Sequence, residues 1–227
     1  YSFTTRSGIL NKITGLNIAS ESYLSLQGYD IKIDSQGRYV LTGSSRKVSN
    51  MVQDIFVARI GKKGRLDTTF NTPNGYNSIN IDSTNLSEVP YSLALDSNDN
   101  IYISGLISTQ DHGADGLIMS YKNDGTGINT TFNSTFGYVI RHEYPNNGNN
   151  NSYAGISIFS DKIYVTGNDD WWSSYGLVHR YSTSGGSENL LTNLSGGTGS
   201  NAIYVKDESN IYIAGSSKLY YSNGSSI

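Results

Sequence analysis

The chain has 227 residues with a formal net charge of -3, 36% apolar and 15% charged residues, 18 tyrosines and no cysteine. That length can bury a substantial core, while the near-neutral charge without a basic run excludes an electrostatic footprint for nucleic acid or an anionic membrane. No stretch reaches the roughly 18 apolar residues of a spanning helix, and the absence of cysteine excludes disulfides, thiol catalysis and cysteine-ligated zinc.

In chain order, Tyr1–Gly8 (YSFTTRSG) reads as a strand, and residues 1–28 as a partial blade. The chain opens without a methionine, so it is expected to be a processed product or an excerpt. Residues 29–90 form the first repeat. Tyr29, Ile31 and Ile33 alternate with Asp30, Lys32 and Asp34, the period-two signature of a strand with one buried face. A polar turn, SQG, leads into a second strand ending at Gly43. A third strand, DIFVARIGKKG, and the segment LDTTFN follow, with Lys62, Lys63 and Arg65 at a solvated hairpin tip. Asn77–Asp82 reads as a fourth strand.

Residues 91–152 repeat the scheme as YSLALDSNDNIYISG, DGLIMSYKNDG, INTTFN and GYVIRHE, with Phe70 and Phe132 in equivalent anchoring positions. Residues 153–200 give YAGISIFSDKIYVTG and YGLVHRYSTSGG, but SENLLTN stands where LDTTFN would be. Residues 201–227 form a partial fourth repeat, AIYVKDESNIYIAG followed by KLYYSNG. The hairpin glycines Gly43, Gly105, Gly167 and Gly215 are spaced 62, 62 and 48 residues apart.

Four antiparallel strands per unit, with no helical period, predict an all-β fold: a β-propeller of four-stranded blades with about four repeats. Both ends read as third strands. The expectation is therefore a larger ring, a ring completed by other blades or chains, or a four-blade ring with one spare strand. A β-sandwich would not require four similar units.

The order D-x-x-V-A-R, G-x-L-D-T-T-F and D-x-x-x-x-I-Y-x-S-G, from Asp54 through Gly105, resembles the delta-60 repeat of bacterial β-propeller proteins. The likeness covers the first two repeats well, loses the L-D-T-T-F portion in the third, and is cut short in the fourth. It implies a propeller within a secreted or surface-attached protein. It carries no shared catalytic residues, and Asp67, Phe70 and Gly105 fall at scaffold positions.

Loops between second and third strands and between blades are expected on one face, where function is usually added. Trp171 and Trp172, flanked by Asp169 and Asp170, form the leading candidate for a sugar-binding platform; inter-blade packing is the competing role. His142 and Glu143 join them at a strand end on the same face. Asp111 and His112, near Asp115, are weak metal candidates, and no cofactor is expected. Asp96, Asn98 and Asp99 look like calcium ligands but lack the length and closing glutamate of an EF-hand loop. His179, within a strand, reads as structural. Sequons stand at Asn85, Asn129, Asn133, Asn150, Asn193 and Asn223.

The expected function is a noncatalytic binding or structural module of an exported or cell-surface protein. Its expected partners are glycans or surface proteins, with neither nucleic acid nor membrane insertion. A glycan-active hydrolase or lyase using Asp169, Asp170 and Glu143 is one alternative, and a purely architectural surface-assembly protein is the other.

Overall fold

The computed structural model describes residues 23–47, 52–81, 86–109, 113–141, 150–170, 175–194, 199–215 and 219–222. Every regular element among them is a β-strand. The first sheet is β1 (Tyr23–Ile33), β2 (Tyr39–Lys47), β3 (Gln53–Ile60) and β4 (Tyr76–Ile79), hydrogen-bonded in that order and antiparallel throughout. The second is β5 (Glu88–Leu95), β6 (Ile101–Thr109), β7 (Gly113–Tyr121) and β8 (Tyr138–Arg141). The third is β9 (Asn150–Phe159), β10 (Lys162–Asp170), β11 (Tyr175–Ser182) and β12 (Ser187–Leu194), tied to the second by one parallel bridge, Ala114 to Asn150. The fourth sheet contributes β13 (Ser200–Asp207), β14 (Asn210–Gly215) and β15 (Leu219–Ser222). First strands neighbour one another in series, β1 beside β5, β5 beside β9 and β9 beside β13. Consecutive meanders that stack face to face about their first strands are propeller blades.

The turn chemistry that joins each first hairpin is local. Asp34 Oδ1 accepts from the Gln36 and Arg38 backbone N–H groups at 3.0 and 2.8 Å, and Asp96 Oδ1 accepts from Asn98 and Asn100 at 2.8 and 2.9 Å. Asp207 does the same with the Ser209 N–H at 2.9 Å. These are Asx turns, in which a short side chain replaces a backbone acceptor. They engage both Asp96 oxygens, with the Asn100 amide donating to Oδ2, while Asp99 accepts from the Ser35 N–H and hydroxyl. Among the described residues no group of three His, Asp or Glu side chains is placed to hold a metal.

The hairpin glycines have a physical cause. Opposite them, the first strand carries one extra residue, so pairing jumps from Gly28 to Asp30, Pro90 to Ser92, Tyr153 to Gly155 and Ser200 to Ala202. The bulged residues are Tyr29, Tyr91, Ala154 and Asn201. At each of three bulges the backbone folds over the glycine, and a Cβ at Gly43, Gly105 or Gly167 would overlap the carbonyl oxygen of Gln27, Val89 or Ser152. A bulge also resets the period-two phase. For that reason β1 starts at Tyr23 and β5 at Glu88, upstream of the alternation visible in sequence.

Between blades the strand faces interdigitate. Val40, Ile55 and Val57 of the first blade pack on Leu93, Ile103 and Leu117 of the second. Tyr102 and Ile118 then meet Ile163, Val165 and Leu177, and Tyr164 and Val178 meet Val205, Ile211 and Ile213.

A peg reinforces the first two seams. In LDTTFN, Asp67 Oδ1 accepts from the Thr69 N–H and hydroxyl at 3.1 and 2.6 Å, and this turn projects Phe70 and Asn71 toward the next blade. The Asn71 N–H donates to the Asp124 carbonyl at 2.8 Å, and the Asn71 amide to the Tyr76 carbonyl at 2.7 Å. INTTFN copies this geometry: the Asn133 N–H donates to the Ser184 carbonyl at 2.8 Å and its amide to Tyr138 at 2.7 Å. The receiving turns carry Gly125 and Gly185, both at positive φ, where a Cβ would stand 2.6 Å from the Asn71 or Asn133 nitrogen. Phe70 and Phe132 are 0% and 1% exposed, which is the anchoring expected of them. Arg59 completes the first peg: its guanidinium lies 4.9 Å from the Phe70 ring centroid and donates to Asp67 (2.8 Å), Thr69 (3.0 Å) and the Asn123 carbonyl (2.8 Å). The third blade has no such turn, because β12 begins at Ser187 directly after the β11 hairpin.

His179 sits in the second seam. Its Nδ1 lies 2.6 Å from the Tyr153 hydroxyl, which is 2.8 Å from the Tyr181 hydroxyl. The bulky Tyr153 ring fits because its neighbour is Gly116, where a Cβ would stand 2.8 Å from it. Burial, with a smaller contribution from the Arg141 charge, pulls the His179 pKa down to about 3.

Two outcomes follow. Gly105→Ala should destabilise the chain by about 3 kcal/mol or more in urea unfolding, as backbone must move, whereas Gly28→Ala, with no atom within 4 Å of its Cβ position, should change stability by less than about 1 kcal/mol. For His179 the unfolded state takes up its proton below pH ~6.5 and the folded state only near 3, so stability is complete above 6.5 and falls with acidification between these values. The Tm of the wild type should therefore drop from pH 6.5 to 4.5. His179→Met, which copies Met119 at the equivalent position, should flatten that slope, because the depressed carboxylates Asp30, Asp34 and Asp67 lose their contribution only below their ordinary 3.8.

Candidate functional site

The first strands of all four blades enclose a cavity of about 570 Å³. Asp30, Lys32 and Ile33 come from β1, Tyr91, Ser92 and Leu95 from β5, Gly155 to Ile158 from β9, and Asn201 to Tyr204 from β13. The bulges shape it. Tyr91, Ala154 and Asn201, the extra residues opposite the hairpin glycines, all line the cavity, and Tyr29 packs edge-on against Tyr91 with ring centroids 5.9 Å apart. Gly155 permits close approach of β13, since a Cβ there would stand 3.0 Å from the Ala202 Cα.

Electrostatically the cavity is balanced. Lys32 Nζ donates to both Asp30 oxygens at 2.8 and 2.7 Å, and the Ser92 hydroxyl and Leu93 N–H donate to Oδ2 at 2.8 and 2.9 Å. Burial opposes ionisation of Asp30, but the Lys32 hydrogen bond, the Leu93 N–H, Ser92 and the Lys32 charge outweigh it and hold the carboxyl below its ordinary range. Burial, then Tyr29, pushes the Tyr91 phenol up, so it stays a neutral donor. The Ser157 hydroxyl accepts from the Val205 N–H at 3.3 Å. Asp30 is the sole carboxylate among the described lining residues.

No residue singled out in sequence as a candidate ligand is among the described residues that line this cavity. Trp171, Trp172, His142, Glu143, Asp111, His112, Asn85 and Asn223 lie outside the described residues. Asp169 and Asp170 end β10, Asn150 begins β9 and Asn193 lies in β12; only their backbones are described. Asn129 and Asn133 belong to the second peg. Asn129 Oδ1 accepts from the Thr131 N–H and hydroxyl at 3.3 and 2.8 Å, and the Asn133 amide is bound to Tyr138. Asp115 is 2% exposed on the β7 face toward the first blade, equivalent to the fully buried Asp54, whose Oδ1 accepts from the Asn80 amide at 3.1 Å. The cavity is lined by the first strands rather than by the variable loops on which the sequence places function. The readable signal was a recurring glycine opposite a strand with one residue too many.

No family model matches the chain, and no curated protein matches it in sequence. Among solved structures it is similar to an exo-1,5-α-L-arabinanase from a bovine ruminal metagenomic library, at 13% identity over 85% of this chain and 71% of that one, with a TM-score of 0.37. At that identity and TM-score the resemblance assigns no activity to the chain.

Proposed function

We propose that the chain is a noncatalytic binding module of an exported or surface protein, and that its axial cavity receives a neutral polyhydroxyl group such as one unit of a glycan. The observation that carries this reading is the closed ion pair of Asp30 and Lys32 beside the Tyr91 ring. The lining thus presents no uncompensated charge to a ligand, while Tyr91, Ser92 and Asn201 supply an aromatic surface and hydrogen-bonding groups. An amphipathic sugar face matches that combination. The likeness of the first two repeats to the delta-60 family supports the exported setting. Two-carboxylate hydrolysis needs a second acid about 5–9.5 Å from the first, and the oxygens of Asp30 are already committed to Lys32, Ser92 and Leu93.

The test is a screen of the full chain against neutral and acidic oligosaccharides, followed by calorimetric titration. Tyr91→Ala should weaken neutral-glycan binding at least about tenfold, or ~1.4 kcal/mol, with Tm shifted by only a few degrees. Binding that is indifferent to Tyr91→Ala, or that favours acidic glycans, rejects the axial site. Release of reducing ends that disappears in Asp30→Asn replaces the binding reading with hydrolysis.

A further inference from the structure

Among the described residues the four first strands do not close a ring. β5 packs beside β1, β9 beside β5 and β13 beside β9, but β13 makes no packing of that extent on β1. The axial cavity reaches this opening, because Ile33 of β1 and Tyr204 of β13 both line it. They are the two most exposed large apolar side chains of the first strands, at 65% and 61%. Single apolar side chains on a surface are ordinary, whereas an aromatic and an aliphatic one brought from two blades to one cavity are what a ligand site uses.

Strand pairing shows that Tyr204 departs from the repeat. It faces Tyr212 as Lys32 faces Val40, Ala94 faces Tyr102 and Ser157 faces Tyr164, so these four occupy one repeat position. At the first seam Lys32 turns its ammonium back onto Asp30, which itself bonds to β5. At the next two seams the residue is small because the following first strand is close. Ala94 is buried in the cluster that holds Ile156, and the Ser157 hydroxyl lies 3.3 Å from the Val205 nitrogen. A tyrosine at either place has no room. The Tyr204 ring is instead backed by Tyr212, its cross-strand neighbour, with centroids 6.2 Å apart and planes 29° from parallel. Such a pair holds the exposed ring in one orientation before a ligand arrives.

We propose that the opening between β13 and β1 is a second sugar subsite continuous with the axial one, in which Tyr204 and Ile33 receive the next unit of a linear neutral glycan. This rests on the reading of the axial cavity as a glycan site and extends it from one unit to a chain. Tyr204 supplies an aromatic surface for the C–H face of a sugar ring, and Ile33 adds an aliphatic contact from β1. Asp30 and Lys32 are the charged side chains among the described lining residues, and they neutralise each other. The second subsite therefore adds contact area without adding charge, which suits a neutral chain.

The test titrates the full chain calorimetrically with neutral gluco-, manno-, galacto- and xylo-oligosaccharides of one to four units. In a series that binds, affinity should rise at least about tenfold from one unit to three. Tyr204→Ala should weaken the trisaccharide at least about fivefold and the monosaccharide less than about twofold. Ile33→Ser should act in the same direction, and because both side chains are exposed, neither change should lower Tm by more than a few degrees. Tyr91→Ala should weaken every length alike. Equal affinity for all lengths, or a trisaccharide indifferent to both Tyr204→Ala and Ile33→Ser, overturns the second subsite and leaves the axial one standing. Binding of no neutral series, or binding indifferent to Tyr91→Ala, overturns both. Self-association of the unmodified chain in sedimentation, abolished by Tyr204→Asp, would instead assign the opening to a second copy.

Discussion

The Phe-Asn peg closing on the glycine turn of the next blade is the contact that sets one sheet relative to another. Apolar faces alone leave sliding freedom, because rows of Ile, Val and Tyr interdigitate in more than one register. A backbone hydrogen bond from Asn71 to Asp124, with a buried phenyl ring beside it, removes that freedom at the outer part of the seam. It also explains why the hairpin turns end in glycine, since any side chain would displace the incoming backbone. With the outer seam fixed by the peg and the inner one by the Asp30 hydrogen bonds to Ser92 and Leu93, the first two blades meet at a defined angle.

The same economy of cause runs through the axial strands. One extra residue per first strand, accommodated by a glycine on its partner, turns Tyr91, Ala154 and Asn201 toward the centre. The chain thereby lines its cavity with residues that differ between blades while the hairpin that presents them does not. Cavity lining and scaffold are coded at adjacent positions of one repeat.

Much of this was legible in the sequence. Alternation of Ile31 and Ile33, or of Leu93 and Leu95, announced strands, and four similar units announced blades. Polar runs between the alternating segments, such as SQG before Arg38, announced the turns. The bulges were not legible, because the extra residue is a gap in periodicity rather than a pattern, and Tyr29 and Tyr91 looked like the starts of strands they interrupt. The partner of Gly125 was hidden for another reason: Asn71 is distant in sequence, and nothing local to KNDG shows what lies over it. Burial of His179 was half visible, since its strand and Tyr181 two residues on were apparent but the Tyr153 hydroxyl that meets both comes from β9.

The third blade's lack of a peg gives the stack unequal joints. Its seam with the fourth blade rests, among the described residues, on the cluster around Tyr164 and Ile213, the Val205–Ser157 hydrogen bond, the buried Ser200 hydroxyl, which donates to the Gly167 carbonyl and is bonded to Thr166, and a Lys162–Glu208 ion pair at the surface, where such pairs add little. In a quasi-one-dimensional array, opening starts at the weakest joint and spreads from it. Because β13 forms one wall of the axial cavity, rotation of the fourth blade about this joint would open a side door, and exchange of the proposed ligand would then be paced by how often that joint breathes rather than by the width of the cavity mouth.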